Sequence, residues 1–306
     1  MQIFAAALIG AVVATGVGMS SAGVSGEPAA AAAAYRESIE TWRKQRLDRL
    51  TAPNGWLSLV GLEWLKDGAN RIGSAKDNDI VIAAAPAHLG TVTLSQGKVT
   101  IALAPEAKAT IDGATAASAE LLDDSHEKPT TIAFGTANFY LVKRGDKFGL
   151  RVKDSAAPTR AHFAGIDNFD IDPSWRIEAK WEAYDPPHEV EESNIIGQVE
   201  KVVVPGAAVF EHDGKTFRVE PVIETPGDTE YFLVFADKTS GKETYGAARF
   251  VYTTPPKDGK VTIDFNKAYN PPCAFTPFAT CPLPTAQNRL AVRVTAGERK
   301  YRDAHE

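Results

Sequence analysis

Residues 90–103 read Gly-Thr-Val-Thr-Leu-Ser-Gln-Gly-Lys-Val-Thr-Ile-Ala-Leu. Apolar and polar residues alternate on both sides of Gln96-Gly97, a pair typical of turns. A period of two places alternate side chains on the same face of a strand, and a short turn containing glycine joins two such strands into a hairpin. This stretch therefore predicts a pair of antiparallel strands.

The same pattern recurs on both sides of this hairpin. Short alternating or continuous apolar runs are separated by turn sequences such as Asp112-Gly113 and His212-Asp213-Gly214-Lys215. Many short strands with turns every eight to twelve residues are typical of a β-sandwich or barrel. The sequence therefore predicts a mainly β fold, with strands at residues 79–82, 130–134, 139–142, 176–184, 198–204, 207–212, 216–222, 231–237, 245–252, 261–266 and 290–296.

One helix is predicted before the strands. Tyr35, Ile39, Trp42 and Leu50 recur at helical spacing with charged residues between them. This spacing indicates an amphipathic helix over residues 31–50, within a segment of linker and helix at residues 23–55. Proline and glycine follow the last apolar position and end it.

The first residues predict export. Residues 3–19 are apolar but fall short of the ~20 residues that a membrane-spanning helix needs. Ser20-Ser21-Ala22 supplies the small residues that a signal peptidase requires, although no Lys or Arg precedes the apolar run. We expect a signal peptide at residues 1–22, cleavage after Ala22, no membrane span thereafter, and a periplasmic or secreted protein. The alternative is an uncleaved single-span anchor.

Composition excludes several kinds of partner and cofactor. The net charge of 306 residues is -6, and no basic run is present to bind nucleic acid. The six histidines are scattered, and two cysteines alone supply too few ligands for zinc, so no metal is predicted. Residues 236–243 lack the first glycine and the Ser or Thr of a phosphate-binding loop, so no nucleotide cofactor is predicted either.

A rigid segment follows the strand predicted at residues 261–266. Residues 264–284 contain five prolines and both cysteines, Cys273 and Cys281. Proline fixes φ, so this backbone is shaped and suits the rim of a site. In an oxidising compartment the two cysteines are expected to form a disulfide, whereas without export two reduced buried thiols are the alternative.

Polar residues near this segment form the candidate site. The buried strand 232–236 ends at Asp237, and the strand predicted at 245–252 places Glu243, Tyr245 and Arg249 on one face. The next predicted strand places Asp264 and Asn266 about 7 Å apart on one surface, followed by Tyr269 and Asn270. These residues predict a polar pocket for an unidentified small molecule.

The alternative function is hydrolysis by a pair of carboxylates, Asp264 with Glu243 or Asp237. The candidate residues also have a purely structural interpretation. Asp264 and Asn266 then cap turns, and Arg249 forms an ion pair with Glu243.

Residues 70–113 resemble a forkhead-associated domain. The resemblance rests on Arg71-Ile72-Gly73-Ser74, residues 77–82, Ala85-Pro86-Ala87-His88 and Ile111-Asp112-Gly113. It implies a β-sandwich, placed at residues 56–155. In that family these loops bind phosphothreonine, but here Ser74, Ala85 and Asp112 replace the family's arginine, serine and asparagine. We therefore expect the fold without phosphothreonine-peptide binding.

Nearly the whole mature chain resembles the bacterial family known as domain of unknown function 1684. This second resemblance implies no activity, and Ala248 stands where the family has glycine. The strand pattern after residue 155, rather than this resemblance, predicts a β-rich C-terminal unit, a sandwich or barrel, at residues 156–306. The segments that carry the resemblance are Trp42-Arg43, residues 55–62, 172–176, 239–246, 264–284 and Asn288-Arg289-Leu290.

Overall fold

A computed structural model describes residues 27–302. The predicted signal peptide and its cleavage site lie outside these residues. The chain divides into two compact units, Met1–Ser38 and Ile39–Glu306, so the predicted boundary near residue 155 stays a prediction. Among the described helices, none is both long and apolar enough to cross a membrane.

The predicted N-terminal helix is confirmed as α1, Glu27–Thr51. In its second half Ile39 and Leu50 are buried, and so is Arg46 between them. The buried side of this helix therefore includes a charge. Short helical segments occur elsewhere: α2 (Pro158–Ala161) and single 3-10 turns at Trp56–Ser58, Pro173–Trp175, Phe265–Lys267 and Pro272–Ala274.

Ten strands follow α1 and form two five-stranded sheets, in the orders β1-β10-β9-β8-β6 and β3-β2-β4-β5-β7. The two sheets share one apolar core that includes Ile72, Val92, Phe139 and Leu150. The strands are β1 (Leu59–Trp64), β2 (Gly68–Gly73), β3 (Ile80–Val81), β4 (Gly90–Ser95), β5 (Lys98–Leu103), β6 (Thr110–Ile111), β7 (Ser118–Glu120), β8 (Thr131–Phe134), β9 (Ala137–Arg144) and β10 (Lys147–Asp154).

The hairpin predicted at residues 90–103 is confirmed as β4 and β5. Ser95 pairs with Lys98 at its end. Gln96 and Gly97 form the turn with φ of 51° and 76°. Two consecutive residues with positive φ match the right-handed twist of the flanking strands, which is why this turn type closes hairpins.

Six further strands make up the C-terminal half, where one sheet has the order β13-β12-β11-β16 and β14 pairs with β15. The mainly β prediction is therefore confirmed. The long hairpin β11–β12 changes register between Ala183 and His188. The strands are β11 (Arg176–Ser193), β12 (Val199–His212), β13 (Lys215–Val219), β14 (Phe232–Phe235), β15 (Arg249–Tyr252) and β16 (Lys260–Asp264).

Two predicted strands near the candidate site differ from the structure. The strand predicted at 245–252 begins only at Arg249, because the carbonyl of Thr239 accepts the amides of Lys242, Glu243 and Thr244 in a tight turn. The strand predicted at residues 290–296 is irregular. Its first residues form two backbone hydrogen bonds with residues 236–238, and side chains of Asp237 and Arg249 then bind the backbone at Val294 and Ala296, which apolar alternation alone does not reveal.

A buried ion pair holds that irregular segment. Arg249 is 1% exposed, and its guanidinium lies 3.2 Å from the carboxylate of Asp237. The same guanidinium donates to the carbonyls of Val294 (2.9 Å) and Ala296 (2.5 Å). Asp237 in turn accepts the amide of Val294 at 2.7 Å. A charge removed from water costs several kcal/mol unless it is paired, and here both charges are.

We expect Asp237→Ala to lower the free energy of unfolding by about 3–5 kcal/mol, because it leaves Arg249 buried without a counter-charge. Glu243→Ala is the matched control. Its ion pair with Arg293 at 2.6 Å is partly exposed, so the loss should stay below about 1 kcal/mol. Urea denaturation of both variants measures the difference, and equal effects would contradict this role for Asp237.

Candidate functional site

The structure gives the three predicted catalytic carboxylates different partners. Asp237 is bound by Arg249, and Glu243 is paired with Arg293. Asp264 caps the 3-10 turn after β16 by accepting the amide of Asn266 at 3.1 Å. The strand predicted at residues 261–266 thus ends at Asp264, because this cap turns the backbone.

The two predicted asparagines fix backbone positions. The side chain of Asn266 is fully buried and bonds both the amide (2.9 Å) and the carbonyl (2.8 Å) of Asp172. Asn270, also fully buried, donates its side-chain amide to the carbonyl of Arg299 at 2.8 Å. Its backbone N–H donates to the buried carboxylate of Glu298 at 2.7 Å. The two side chains thus have structural partners, although Asn266 binds the backbone of Asp172 rather than capping a turn as the sequence suggested.

Hydrogen bonds from nearby residues hold the proline-rich segment, residues 264–284, in place. The hydroxyl of Tyr245 donates to the carbonyl of Cys273 at 3.2 Å. Cys273 and Cys281 are buried free thiols in this structure, and the amide of Cys273 donates to Sγ of Cys281 at 3.2 Å. Hydrogen bonding between the two thiols lowers the pKa of Cys273, whereas burial raises that of Cys281. Their predicted disulfide stays a prediction.

Of the predicted site residues, Tyr269 leads to a cavity. Burial raises its pKa, and its ring packs edge-on to Phe250, 5.8 Å between centroids. Tyr269 and Tyr252 lie close enough to influence each other's pKa, and the Tyr252 hydroxyl donates to the carboxylate of Glu224. Glu224 lies on the loop after Val222, outside the set that sequence analysis selected. This chain of contacts leads from the proline-rich segment to a cleft of about 790 Å³.

Several segments that are distant in sequence build this cleft. The end of β11 bonds the proline-rich segment, since the amide of Ile195 donates to Cys281 (2.9 Å) and that of Leu283 to Ser193 (2.8 Å). The amide of Ile223 donates to Val203 on β12 at 2.9 Å. We call the space between them the carboxylate cleft; it is lined by Asp124, Arg144, Glu192, Ser193, Asn194, residues 200–203, residues 222–226, Phe232, Thr280 and Pro282.

Glu192 is the acidic group most perturbed by this cleft. Burial raises its pKa, the nearby charges of Glu224 and Glu200 raise it in the same direction, and together they bring it to about 7. Burial also raises the pKa of Glu224, against the opposing hydrogen bond from Tyr252. A carboxylate that is half protonated near neutral pH can either donate or accept a proton there.

The opposite wall of the carboxylate cleft is apolar. Val222 and Phe232 are buried members of a core cluster, and Val202 packs against it. Most small-molecule sites combine such an apolar wall with a few convergent polar groups. The cationic groups of the lining are Arg144, which is bound to Asp124 at 2.8 Å, and Lys201, which is paired with Glu189 at 3.1 Å. The carboxylates Glu192, Glu200 and Glu224 therefore determine the charge presented to a ligand.

Sequence analysis missed Glu192 and Glu224 because their proximity depends on long-range pairing. Val190 and Glu192 share a face of β11, and Val190 packs against the apolar cluster. A carboxylate on the apolar side of a strand is the signal that was available. The register that brings β12 and residues 222–226 beside it cannot be read from local alternation.

Among the residues that the structure describes, no group of three or more His, Cys, Asp or Glu side chains has an arrangement that could hold a metal ion. That the chain needs no metal or nucleotide cofactor stays a prediction of the sequence.

Comparison with known proteins gives a family but no activity. A solved structure of an uncharacterized protein from Haloarcula marismortui is 31% identical to the chain, covering 46% of it and 78% of the archaeal chain with a TM-score of 0.39. A forkhead-associated domain, studied for phosphothreonine-dependent interactions, is 14% identical, covering 30% of this chain and 92% of that domain, with a TM-score of 0.21. No curated protein matches. The family model of a protein of unknown function, DUF1684, matches residues 161–299, and through this part the chain belongs to that family.

Proposed function

We propose that this protein binds a small molecule in the carboxylate cleft and that the bound group is cationic. The observation that carries the proposal is Glu192, whose pKa is raised to about 7 inside a cleft of about 790 Å³. Strongly perturbed titratable groups in clefts mark functional sites more often than chance. The proposal keeps the small-molecule function that the sequence predicts and transfers it from Asp264 to Glu192.

Electrostatics favours a cation over a neutral or anionic ligand. The charges of Glu224 and Glu200 disfavour the ionised form of Glu192, and a positive charge beside Glu192 relieves this repulsion. The aromatic ring of Phe232 on the same lining adds a surface on which an ammonium group binds favourably. Ammonium, guanidinium and quaternary ammonium compounds are the classes that share this chemistry.

The expected result is saturable binding of small amines, accompanied by proton release near neutral pH. A bound cation lowers the pKa of Glu192, so its carboxyl group loses the proton it holds at about pH 7. Isothermal titration of an amine panel in buffers of different ionisation enthalpy measures both affinity and released protons. Neutral sugars of similar size serve as negative ligands.

Glu192→Gln should weaken amine binding by about tenfold or more and abolish proton release, because it removes the titrating charge. Glu191→Gln is the matched control, since it removes the same charge from the adjacent, exposed position on β11. Binding of neutral sugars instead of amines, or equal affinities of the two variants, would contradict the proposal.

A second candidate function is hydrolysis with Glu192 as general acid. The raised pKa favours it, because a carboxyl group protonated at neutral pH can give its proton to a leaving oxygen while Glu224 activates water. This arrangement replaces the pair of Asp264 with Glu243 or Asp237. Assays on glycoside and ester substrates with the wild type and Glu192→Gln test it, and activity that survives the substitution would exclude Glu192 as the acid.

The raised pKa of Glu192 also makes stability depend on pH. The pKa of Glu192 is 4.5 in the unfolded chain and about 7 in the folded protein. Between these pH values the folded protein holds the proton more tightly than the unfolded chain does, so a rise in pH lowers the free energy of unfolding. Glu192→Gln mimics the protonated form. It should raise the free energy of unfolding by about 1–2 kcal/mol at about pH 8.5, and by less than about 0.5 kcal/mol at about pH 5, after allowance for solvent screening.

Denaturant unfolding at the two pH values measures this difference, with Glu191→Gln again as the control. A gain that is the same at both pH values would mean that Glu192 does not titrate between pH 4.5 and about 7.

We further propose that the protein is exported and that Cys273 and Cys281 then form a disulfide. The apolar residues 3–19 support export, and the contact between the Cys273 amide and Sγ of Cys281 supports the pairing. The chain-entropy account gives such a short loop about 2–3 kcal/mol of stabilisation. Mass spectrometry of unreduced periplasmic protein should find the mature chain beginning after Ala22 with one intramolecular disulfide, and two free thiols would contradict the pairing.

A further inference from the structure

We propose that Arg151 and Lys153, on the face of strand β10 opposite the apolar core, bind a small oxyanion such as the phosphate, sulfate or carboxylate group of a ligand. This proposal does not depend on ligand binding in the carboxylate cleft: neither side chain lines the cleft, although Arg151 contacts Thr280 and Asp124, which do. It also differs from the phosphothreonine binding of forkhead-associated domains, because these residues lie on β10 rather than in the loops that resemble that family.

Arg151 is a buried cation whose hydrogen-bonding capacity is poorly used. The residue is 4% exposed, and its Nε has no hydrogen-bond partner in the described part of the chain. Its other nitrogens bond neutral hydroxyls at long distances, Tyr140 at 3.4 Å and Thr280 at 3.3 Å. Buried guanidinium groups normally bond shorter acceptors, most often carboxylates at about 2.7–2.9 Å.

The carboxylate nearest to Arg151 already forms an ion pair with another arginine. Asp124 lies 3.9 Å from the Arg151 guanidinium, beyond hydrogen-bond distance. The same carboxylate accepts two hydrogen bonds from Arg144, at 3.0 Å and 2.8 Å. Arg151 therefore has a distant, shared counter-charge and no close one of its own.

Lys153 adds a second positive charge beside Arg151. Burial lowers the pKa of its amine, the charge of Arg151 lowers it in the same direction, and together they bring it to about 8. Its ammonium group donates to the carbonyl of Asn54 at 2.7 Å, which leaves two of its three protons for other acceptors. Two neighbouring cations without a carboxylate between them form a place where an anion is stabilised by both.

Two aromatic rings lie beside Arg151 and Lys153 but do not neutralise their charges. The Arg151 guanidinium lies 5.4 Å from the ring centre of Trp56, and the Lys153 ammonium lies 5.5 Å from the same ring. The ring of Tyr140 lies 5.9 Å and 5.6 Å from the same two groups. Cation–π contacts attract each charge but accept no N–H hydrogen bond in the guanidinium plane and do not reduce the repulsion between the cations.

An oxyanion would satisfy both groups at once. Nε and one terminal nitrogen of arginine form an edge that matches two oxygens of a phosphate or carboxylate, and the lysine ammonium supplies a third donor. Partial exposure of Lys153, Tyr140 and Trp56 gives the anion a route from solvent.

The test is an isothermal titration of the full mature chain with inorganic phosphate, and separately with sulfate and acetate, each against sodium chloride at equal ionic strength. We expect the oxyanions to bind saturably and chloride to show no saturable binding at the same ionic strength. Lys153→Gln should weaken phosphate binding by about tenfold, since a hydrogen bond to a charged group is lost. Lys147→Gln, the control at the exposed start of the same strand, should change it less than about twofold.

Arg151→Lys keeps the charge but removes Nε, and it should weaken phosphate binding by a similar factor. Its thermal midpoint without phosphate is measured in parallel, so that loss of fold and loss of binding are separated.

Amine acylation provides a second readout, because phosphate should protect Lys153 and leave Lys147 reactive. Absence of saturable binding in the wild type, or equal affinities in Lys153→Gln and Lys147→Gln, would overturn the proposal. Glu192→Gln should bind phosphate normally, so failure here is distinct from failure at the carboxylate cleft.

Discussion

The ion pair between Arg249 and Asp237 fixes the arrangement of the C-terminal half. Both side chains are buried, and together they hold the backbone at Val294 and Ala296, where no strand is formed. A second buried pair acts in the same way: Arg46 of α1 binds Glu298 at 3.1 Å. In both cases the cost of removing charges from water is offset by close pairing and by hydrogen bonds to backbone.

The requirement that buried charges be paired also identifies the candidate sites. Glu192 is partly buried among like charges and shifts its pKa instead of finding a cation. Arg151 is buried beside Lys153 with only long bonds to neutral hydroxyls. Glu192 and Arg151 thus lack the close pairing of the two buried ion pairs, and such departures are expected where a ligand completes the pairing. They have opposite charge, so they select opposite ligand classes.

Local patterns predicted the fold class well, but they do not show which distant residues come together in space. Alternation in residues 90–103 specifies a hairpin because the information is contained in neighbouring residues. The buried strand at Phe232–Phe235 follows from its continuous apolar run for the same reason. Asp264 and Asn266 were chosen by extending alternation through residue 266, but the Asp264 cap ends β16 and turns both side chains to backbone partners. Glu192 and Glu224 meet only through the pairing of Ile223 with Val203, which no local signal specifies.

Tyr269 connects the residues predicted from the sequence with the carboxylate cleft. It lies beside the proline-rich segment, as expected, and reaches Glu224 through Tyr252. The function proposed for the carboxylate cleft depends on Glu192 titrating near neutral pH because of its position there. Carbon-13 NMR of side-chain carboxylates, assigned with Glu192→Gln, measures this directly. We expect an apparent pKa of about 7 for Glu192. A value near 4.5, the ordinary value for glutamate, would contradict the proposal.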